Sequence, residues 1–449
     1  MKSKTLPIIL ILLMLPFTDW AVEQRYLPFL VMWFPELLSG VIFLKAIIQS
    51  LTSGKKFKTV GLKFVTIFLL VMLGSLIFNG TNVVSALLMG RLLFRYYLLL
   101  LAMINLDLNE KETKLILGVM VFIFILQLPL SVIKLIIYGA GEKPLGLSAH
   151  GLSTIVPLIA ISFLYAFYFL YRKKTIYLLG ILSFVGFSFI GGKRAFVFYL
   201  IVLIAFLTWI VRRNIKLNYA VIFLGAFIVL ASFYFAARLL PTLNPQNRVW
   251  GSFDLKFIID YAISYETHVR ATGHSTGRVS TTVNIFNNLN RNGFLHSIFG
   301  FGPGIIIRSM FSAYDRADAF ESRFGVKYGI TGLTWLGIQV GYLGLLAFFL
   351  LLYFLTRRAY QYFLSEQGDF WRSCALGIVG FSFSLILTGM LYDPFFSNDS
   401  ISAFYYCSIG LALINSNKIE NSKRHALIPG GGEILNKQAA PLEKSGMID

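Results

Sequence analysis

Apolar runs, most of them close to 20 residues long, recur from one end of this chain to the other, with short polar links between them. A helix needs roughly 20 mostly apolar residues to cross the hydrocarbon core of a bilayer. In lipid every backbone N–H and C=O must be satisfied within the protein, which leaves the helix as the form open to such runs. The runs lie at 5–18, 27–48, 64–79, 85–104, 114–137, 153–171, 175–191, 195–211, 218–239, 329–355, 373–391 and 400–415. They predict an all-α polytopic membrane protein of about twelve transmembrane helices. The first run is short, holds Pro7 and Pro16, and follows Lys2 and Lys4. It resembles a signal peptide, but no small-residue cleavage site follows, so it is kept as a helix. Composition agrees with a membrane protein: 57% of residues are hydrophobic and 14% charged, against about 25% charged in a soluble domain. A soluble enzyme, a disordered regulator and a secreted disulfide scaffold are thereby excluded. Cys374 and Cys407 both sit inside apolar runs and imply no disulfide framework.

The formal charge of +19 comes from 40 Lys+Arg against 21 Asp+Glu. In a soluble protein such an excess points to nucleic acid. Here its distribution points elsewhere. With the N-terminus inside, the inner links hold Lys2 and Lys4, the lysines between 55 and 63, Lys111 and Lys114, Arg172 to Lys174, Arg212, Arg213 and Lys216, and Arg357, Arg358 and Arg372. The short outer links hold only Arg25, Lys143, Lys193 and Arg194. This bias of Lys and Arg toward the cytoplasmic side orients the chain, explains much of the charge, and removes nucleic acid as a partner. Both termini are expected in the cytoplasm.

Four regions follow. Residues 1–239 form the first nine helices of the bundle. Residues 240–328 are the one long polar stretch between helices, and they fall on the periplasmic side. Residues 329–415 are the last three helices. Residues 416–449, with Pro429-Gly430-Gly431-Gly432, read as a disordered cytoplasmic tail. Long ordered loops are usually functional, so chemistry on an external substrate is expected in 240–328. The plain alternative is a structural cap on the bundle.

Several charges stand where orientation does not call for them. Arg91 and Arg95 lie inside the fourth run at i, i+4, on one helix face, and Arg91 is about 9 Å below the outer end. An arginine at that depth costs several kcal/mol unless it faces a watery cavity or an anion; snorkelling is the alternative. Lys193 and Arg194 follow Gly191-Gly192 in a turn too short to be a domain. They suit lipid headgroups or an anionic lipid-linked substrate, whose phosphate matches arginine's planar fork. In the long loop, His274 and Arg278 lie in Gly273-His274-Ser275-Thr276-Gly277-Arg278, and Gly300, Gly302 and Gly304 form a glycine-rich turn whose amides suit phosphate. Glu321-Ser322-Arg323 follows. His268 and His274 are six apart, without a cysteine or second carboxylate to complete a site, so no metal and no cofactor are expected.

Taken in order, these residues resemble the O-antigen polymerase/ligase superfamily, the Wzy-type polymerases and their ligase relatives. The resemblance covers about residues 150–355. It rests on Phe189-Ile190-Gly191-Gly192-Lys193-Arg194-Ala195, on Arg278, on Gly300-Phe301-Gly302-Pro303-Gly304, and on Glu321-Ser322 followed by Tyr328-Gly329-Ile330-Thr331-Gly332-Leu333. The turn has Gly-Lys-Arg where Ser-Arg is more usual, and Arg194 is taken as the functional residue of the pair. The resemblance implies glycosyl transfer at the periplasmic face of the bacterial inner membrane. The donor is a glycan on undecaprenyl pyrophosphate and the acceptor a hydroxyl of the next lipid-linked repeat unit of an O-antigen or exopolysaccharide. Membrane lipids, a chain-length regulator and a flippase are the further expected partners. Arg91, Arg95, Lys193, Arg194 and Arg323 are expected to bind the substrate pyrophosphate, and Arg278 to take part in the transfer. Glu321 is the first candidate for general base and His274 the second. Ligases of the superfamily usually carry a His-Asn pair before the tenth helix, and no such dipeptide occurs here, which favours the polymerase. The alternatives are the ligase that moves polymer to lipid A core and a polysaccharide transporter or flippase. For a transporter, the sequence shows neither an internal repeat nor paired broken helices.

Overall fold

The computed structural model describes residues 4–23, 26–138, 146, 152–191, 193, 195–213, 277–306, 320, 323–326 and 328–426, with single positions between 223 and 268. The described residues are helical, without a β-strand. In chain order the helices are α1 (Leu6–Glu23), α2 (Trp33–Thr52), α3 (Leu62–Asn79), α4 (Val83–Phe94), α5 (Tyr97–Asn105), α6 (Glu110–Tyr138), α7 (Ile155–Ala166), α8 (Thr175–Ile190), α9 (Ala195–Arg212), α10 (Arg278–Arg291), α11 (Phe294–Phe299), α12 (Gly332–Ser365), α13 (Asp369–Leu391) and α14 (Asp399–Ala426). A π-helical turn, Phe167–Tyr171, extends α7, and a 3₁₀ turn, Phe395–Ser397, leads into α14.

Six of these segments are long and apolar enough to cross a membrane, and α4 with α5, bent by 49°, forms a seventh if the pair is one span. The protein is a membrane-embedded helical bundle. Of the twelve expected spans, those in α1, in α7 with its π turn and in α8 are apolar but shorter. The 218–239 stretch lies largely outside the described residues. The stretch at 400–415 belongs to α14, which runs on to Ala426. Residues 416–426, expected in the disordered tail, are thus helical, because the last helix carries past its apolar part into polar sequence.

Burial separates centre from rim. In α13, 78% of the apolar window is buried, against 22% for the segment Leu30–Thr52. Residues Leu99 to Ile104 of α5 are all buried, whereas Leu37, Leu70, Ile77 and Ile136 are exposed apolar side chains on α2, α3 and α6. Such exposure suits a lipid-facing rim, where apolar side chains need no protein cover.

The lysine-rich links meet at one end of the bundle. Lys4 Nζ donates to Leu106 O at 2.9 Å, Lys55 pairs with Asp107 at 2.5 Å, and the Lys58 amide donates to Asn105 Oδ1 at 2.8 Å. Lys114 lies over the Phe370 ring, which also packs on Tyr171. Helix ends at the opposite pole carry the polar features described below.

Among the described residues, two helices are broken. The chain turns between α4 and α5 at Arg95 and Tyr96. Within α12, Gly341 adopts φ 64 and ψ −167. A Cβ at Gly341 would lie 2.2 Å from Ile298 O, so only glycine admits both the turn and the approach of α11. The carbonyls released by this break find new donors: the Phe301 amide reaches Ile338 O at 2.7 Å and Ser75 Oγ reaches Gln339 O at 3.0 Å. Satisfying them inside the protein is what permits a break within so apolar a helix.

Candidate functional site

The polar pole of the bundle has three centres. The first is built around Arg278, the opening residue of α10. Gly329, at φ 75, brings the chain before α12 against Gly277; a Cβ there would lie 2.7 Å from Gly277 O. Thr281 Oγ1 donates to Tyr328 O at 2.9 Å, fixing the first turn of α10 to the same segment. From this anchored turn Arg278 Nε donates to Tyr392 O at 3.0 Å, Nη1 to Glu266 Oε1 at 3.2 Å, and Nη2 lies 3.9 Å from Asp393 Oδ2. The guanidinium carbon is 3.8 Å from the Tyr392 ring centroid, a distance at which the ring face attracts the cation. Tyr392 in turn packs at 6.0 Å against Tyr199 of α9. Lys193 lies six residues before Tyr199, in the α8–α9 turn. It is buried, with its amide on Ser188 O and its carbonyl accepting from Phe196. Arg194 lies outside the described residues.

The Arg278 side chain is 19% exposed, and those of Glu266 and Asp393 are 34% and 37% exposed. Two carboxylates therefore share one guanidinium at a half-open surface. That arrangement leaves carboxylate oxygens and a guanidinium side by side within reach of a ligand. Glu266, Tyr392 and Asp393 were not singled out from sequence. The signal available was Tyr392-Asp393-Pro394, an acid in the short link after the uncharged apolar run 373–391. His274 and Glu321, the two expected bases, lie outside the described residues.

The second centre is the glycine turn. Gly300, Gly302 and Gly304 have φ of 73, 109 and 85. Cβ atoms there would stand 2.6 Å from the Gln339 carbonyl carbon, 2.1 Å from Thr81 Cγ2 and 2.5 Å from Ser85 Cβ. The glycines thus serve close packing onto α12 and onto the start of α4. The Gly304 amide donates to Gln339 Oε1 at 2.9 Å, and Asn79 Nδ2 to Gly300 O at 3.2 Å. Beside the turn opens a cleft of about 370 Å³. Its lining includes Asn79, Thr81, Asn82, Ser85, His296 and Arg323. Arg323 rests over the rings of Phe301 and Phe324 at 5.1 and 5.2 Å.

The third centre is closed. Arg91 grips Glu36 with two bonds, Nε to Oε2 at 2.6 Å and Nη2 to Oε1 at 2.7 Å, and stacks over Trp33. Arg95 Nη1 donates to the same Glu36 at 2.8 Å, Nη2 to Ser397 O at 2.7 Å, and the guanidinium pairs with Asp399. Next to it, Ser400 Oγ donates to Asp19 Oδ2 at 2.5 Å. Side-chain exposure is 6% for Arg95, 11% for Glu36 and 1% for Asp399. These carboxylates account for the two arginines at their depth, since intramembrane charges persist when paired toward the bundle interior.

The first and third centres share one connector. Between α13 and α14, Arg278 holds Tyr392 and Asp393 at one end, and Arg95 holds Ser397 and Asp399 at the other. Among the described residues no cluster of three or more His, Cys, Asp or Glu is arranged to hold a metal ion. A comparison with models of known protein families finds no match, and a comparison with curated proteins finds no relative.

Proposed function

We propose that this chain is a membrane glycosyltransferase that polymerises undecaprenyl-pyrophosphate-linked repeat units at the periplasmic face of the bacterial inner membrane. The observation that carries this reading is the Arg278 centre, a half-open cation flanked by carboxylates at the pole opposite the lysine-rich links. The bias of basic residues makes that lysine-rich pole cytoplasmic and the Arg278 pole periplasmic. The sequence resemblance to Wzy-type polymerases supports the substrate class.

The chemistry follows from the groups. The acceptor hydroxyl oxygen attacks the anomeric carbon of the donor glycan while the bond from that carbon to the pyrophosphate oxygen breaks. The electron pair leaves with the pyrophosphate, and a carboxylate takes the hydroxyl proton. Arg278, with Lys193 and Arg194, neutralises the growing negative charge on the leaving group. Asp393 and Glu266 join Glu321 and His274 as candidates for the base. Elongation of a purified lipid-linked repeat unit by the detergent-purified chain tests the assignment; loss of elongation in Arg278→Ala with unchanged folding is the expected result. Full elongation by that variant would overturn it.

A second reading draws on the two broken helices, α4–α5 and α12, since discontinuous helices mark the substrate sites of many transporters. The glycan of a deletion strain separates the readings. A single repeat unit on the exported product belongs to a polymerase, and the loss of all exported glycan to a flippase.

A further inference from the structure

We infer that the cleft between the glycine turn and the start of α4 is a second diphosphate site, distinct from the Arg278 centre, and that it holds the substrate whose diphosphate is not cleaved. The assignment of substrate rests on the polymerase reading; the diphosphate site itself rests on the following geometry.

α4 begins at the cleft. Asn82 caps it by accepting from the Val84 amide at 2.8 Å, which leaves the amides of Val83 and Ser85 without acceptors inside the helix. A helix N-terminus with open amides and its dipole attracts anions. The Ser85 residue is 3% exposed and lines the cleft, yet its hydroxyl has no hydrogen-bond partner. The Thr81 hydroxyl beside it is likewise shielded and without a partner. A buried hydroxyl left in this state costs about 1–3 kcal/mol, and an oxyanion in the cleft would satisfy both. Arg323 contributes a guanidinium, and His296 lines the same cleft with Nδ1 on Asn292 O at 2.9 Å. Among the described residues lining the cleft there is no Asp or Glu.

That last point separates the two centres. Arg278 stands between carboxylates fit to accept a proton, as a transfer site requires. The cleft offers the Arg323 guanidinium, backbone amides and hydroxyls, which hold an anion. The two are near enough to cooperate. Asn284 of α10 donates to Phe324 O, next to Arg323, and Asn284 lies six residues beyond Arg278, about 9 Å along the helix. Joining two lipid-linked glycans requires two diphosphates at once, of which one departs and one stays attached to the growing product.

The test is binding stoichiometry with the full-length chain in detergent, using inorganic pyrophosphate and, in parallel, farnesyl pyrophosphate. The wild type is expected to bind two equivalents. Arg323→Gln should remove one, with the melting temperature followed because Arg323 rests on Phe301 and Phe324, and Arg278→Gln the other. Ser85→Ala should weaken the Arg323-dependent equivalent roughly tenfold and leave the other unchanged. A single equivalent in the wild type, or two that survive Arg323→Gln, overturns the site. Tighter binding of farnesyl pyrophosphate at the Arg323-dependent site supports a lipid-borne ligand, and equal affinity overturns that part. Chain growth absent from protein that still binds two equivalents would sink the polymerase reading and leave the site standing.

Discussion

Arg95 and Arg278 are both arginines that face two carboxylates, yet the two centres differ in what surrounds them. Arg95 sits between Glu36 and Asp399 with 6% of its side chain exposed, and its carboxylates are as deeply shielded. Arg278 meets Glu266 and Asp393, whose side chains are about one-third exposed. Removing charges from water costs several kcal/mol per ion, which attraction offsets only when the geometry is tight. The closed centre is tight, with three arginine–Glu36 bonds of 2.6 to 2.8 Å. The open centre is looser, with contacts of 3.2 and 3.9 Å. One arrangement holds helices together at a break. The other keeps its groups accessible to a ligand.

The largest expected effect separates these roles by activity. Arg278→Ala should lower elongation of a lipid-linked repeat unit roughly 10²–10³-fold, the loss seen when one preorganised donor to a developing anion is removed, with thermal stability nearly unchanged. Arg278→Lys should recover little, because a point charge lacks the planar fork. Wild-type rates in Arg278→Lys would show that the fork plays no part there.

The closed centre should respond the opposite way. Arg95→Leu leaves Asp399 as an uncompensated buried charge and should destabilise the bundle by about 3–5 kcal/mol. Arg91, whose side chain is 25% exposed, should cost less on the same substitution. Unfolding of the purified variants in detergent measures both. A mild Arg95→Leu that folds normally but fails to elongate would move this centre to the functional side of the comparison.

The glycine turn tests packing against chemistry. Gly302→Ala places a methyl 2.1 Å from Thr81 Cγ2 at a φ that L-residues rarely adopt. The turn must move off α4, at a cost of about 1–3 kcal/mol, as for overpacking. The readout is the pyrophosphate affinity of the cleft set against the melting temperature. A variant with both unchanged would show that the close approach to Thr81 is dispensable.

Much of the helical framework was legible because apolar runs have few options in lipid. The run at 64–79 became Leu62–Asn79 and the run at 373–391 became Asp369–Leu391. The breaks were not legible. Leu92 to Leu101 is almost wholly apolar or aromatic across the bend at Arg95, and the Gly341 break depends on donors from Ser75 and Phe301, distant in sequence. Of the candidate site, Arg278, the glycine turn and Arg323 stood out by residue type. Asp393 and Asp399 did not, since a lone acid at the edge of an apolar run looks like an ordinary helix end until its arginine is seen, and Glu36, inside the run 27–48, is marked by no neighbouring cation in sequence. Where Arg91 and Arg95 find their partners is a tertiary fact: Glu36 lies on α2 and Asp399 on α14.

The smallest expected effect completes the series, because a third ion pair repeats the chemistry in the open. Lys55 and Asp107 approach to 2.5 Å at the lysine-rich pole, closer than any contact Arg278 makes with a carboxylate. Their side chains are 62% and 53% exposed. If short distance set the strength of a pair, this one would rank with Glu36 and Arg95. If exposure sets it, the coupling should fall to the range of surface pairs, about 0.2–1 kcal/mol, and shrink further in salt. Water solvates both ions when they separate, and two mobile side chains must be ordered to meet. A double-mutant cycle of Lys55→Ala and Asp107→Ala, read by unfolding in detergent at low and high salt, gives the coupling directly. A value above about 2 kcal/mol, insensitive to salt, would mean that this link is shielded in the folded protein and that exposure does not order the three pairs.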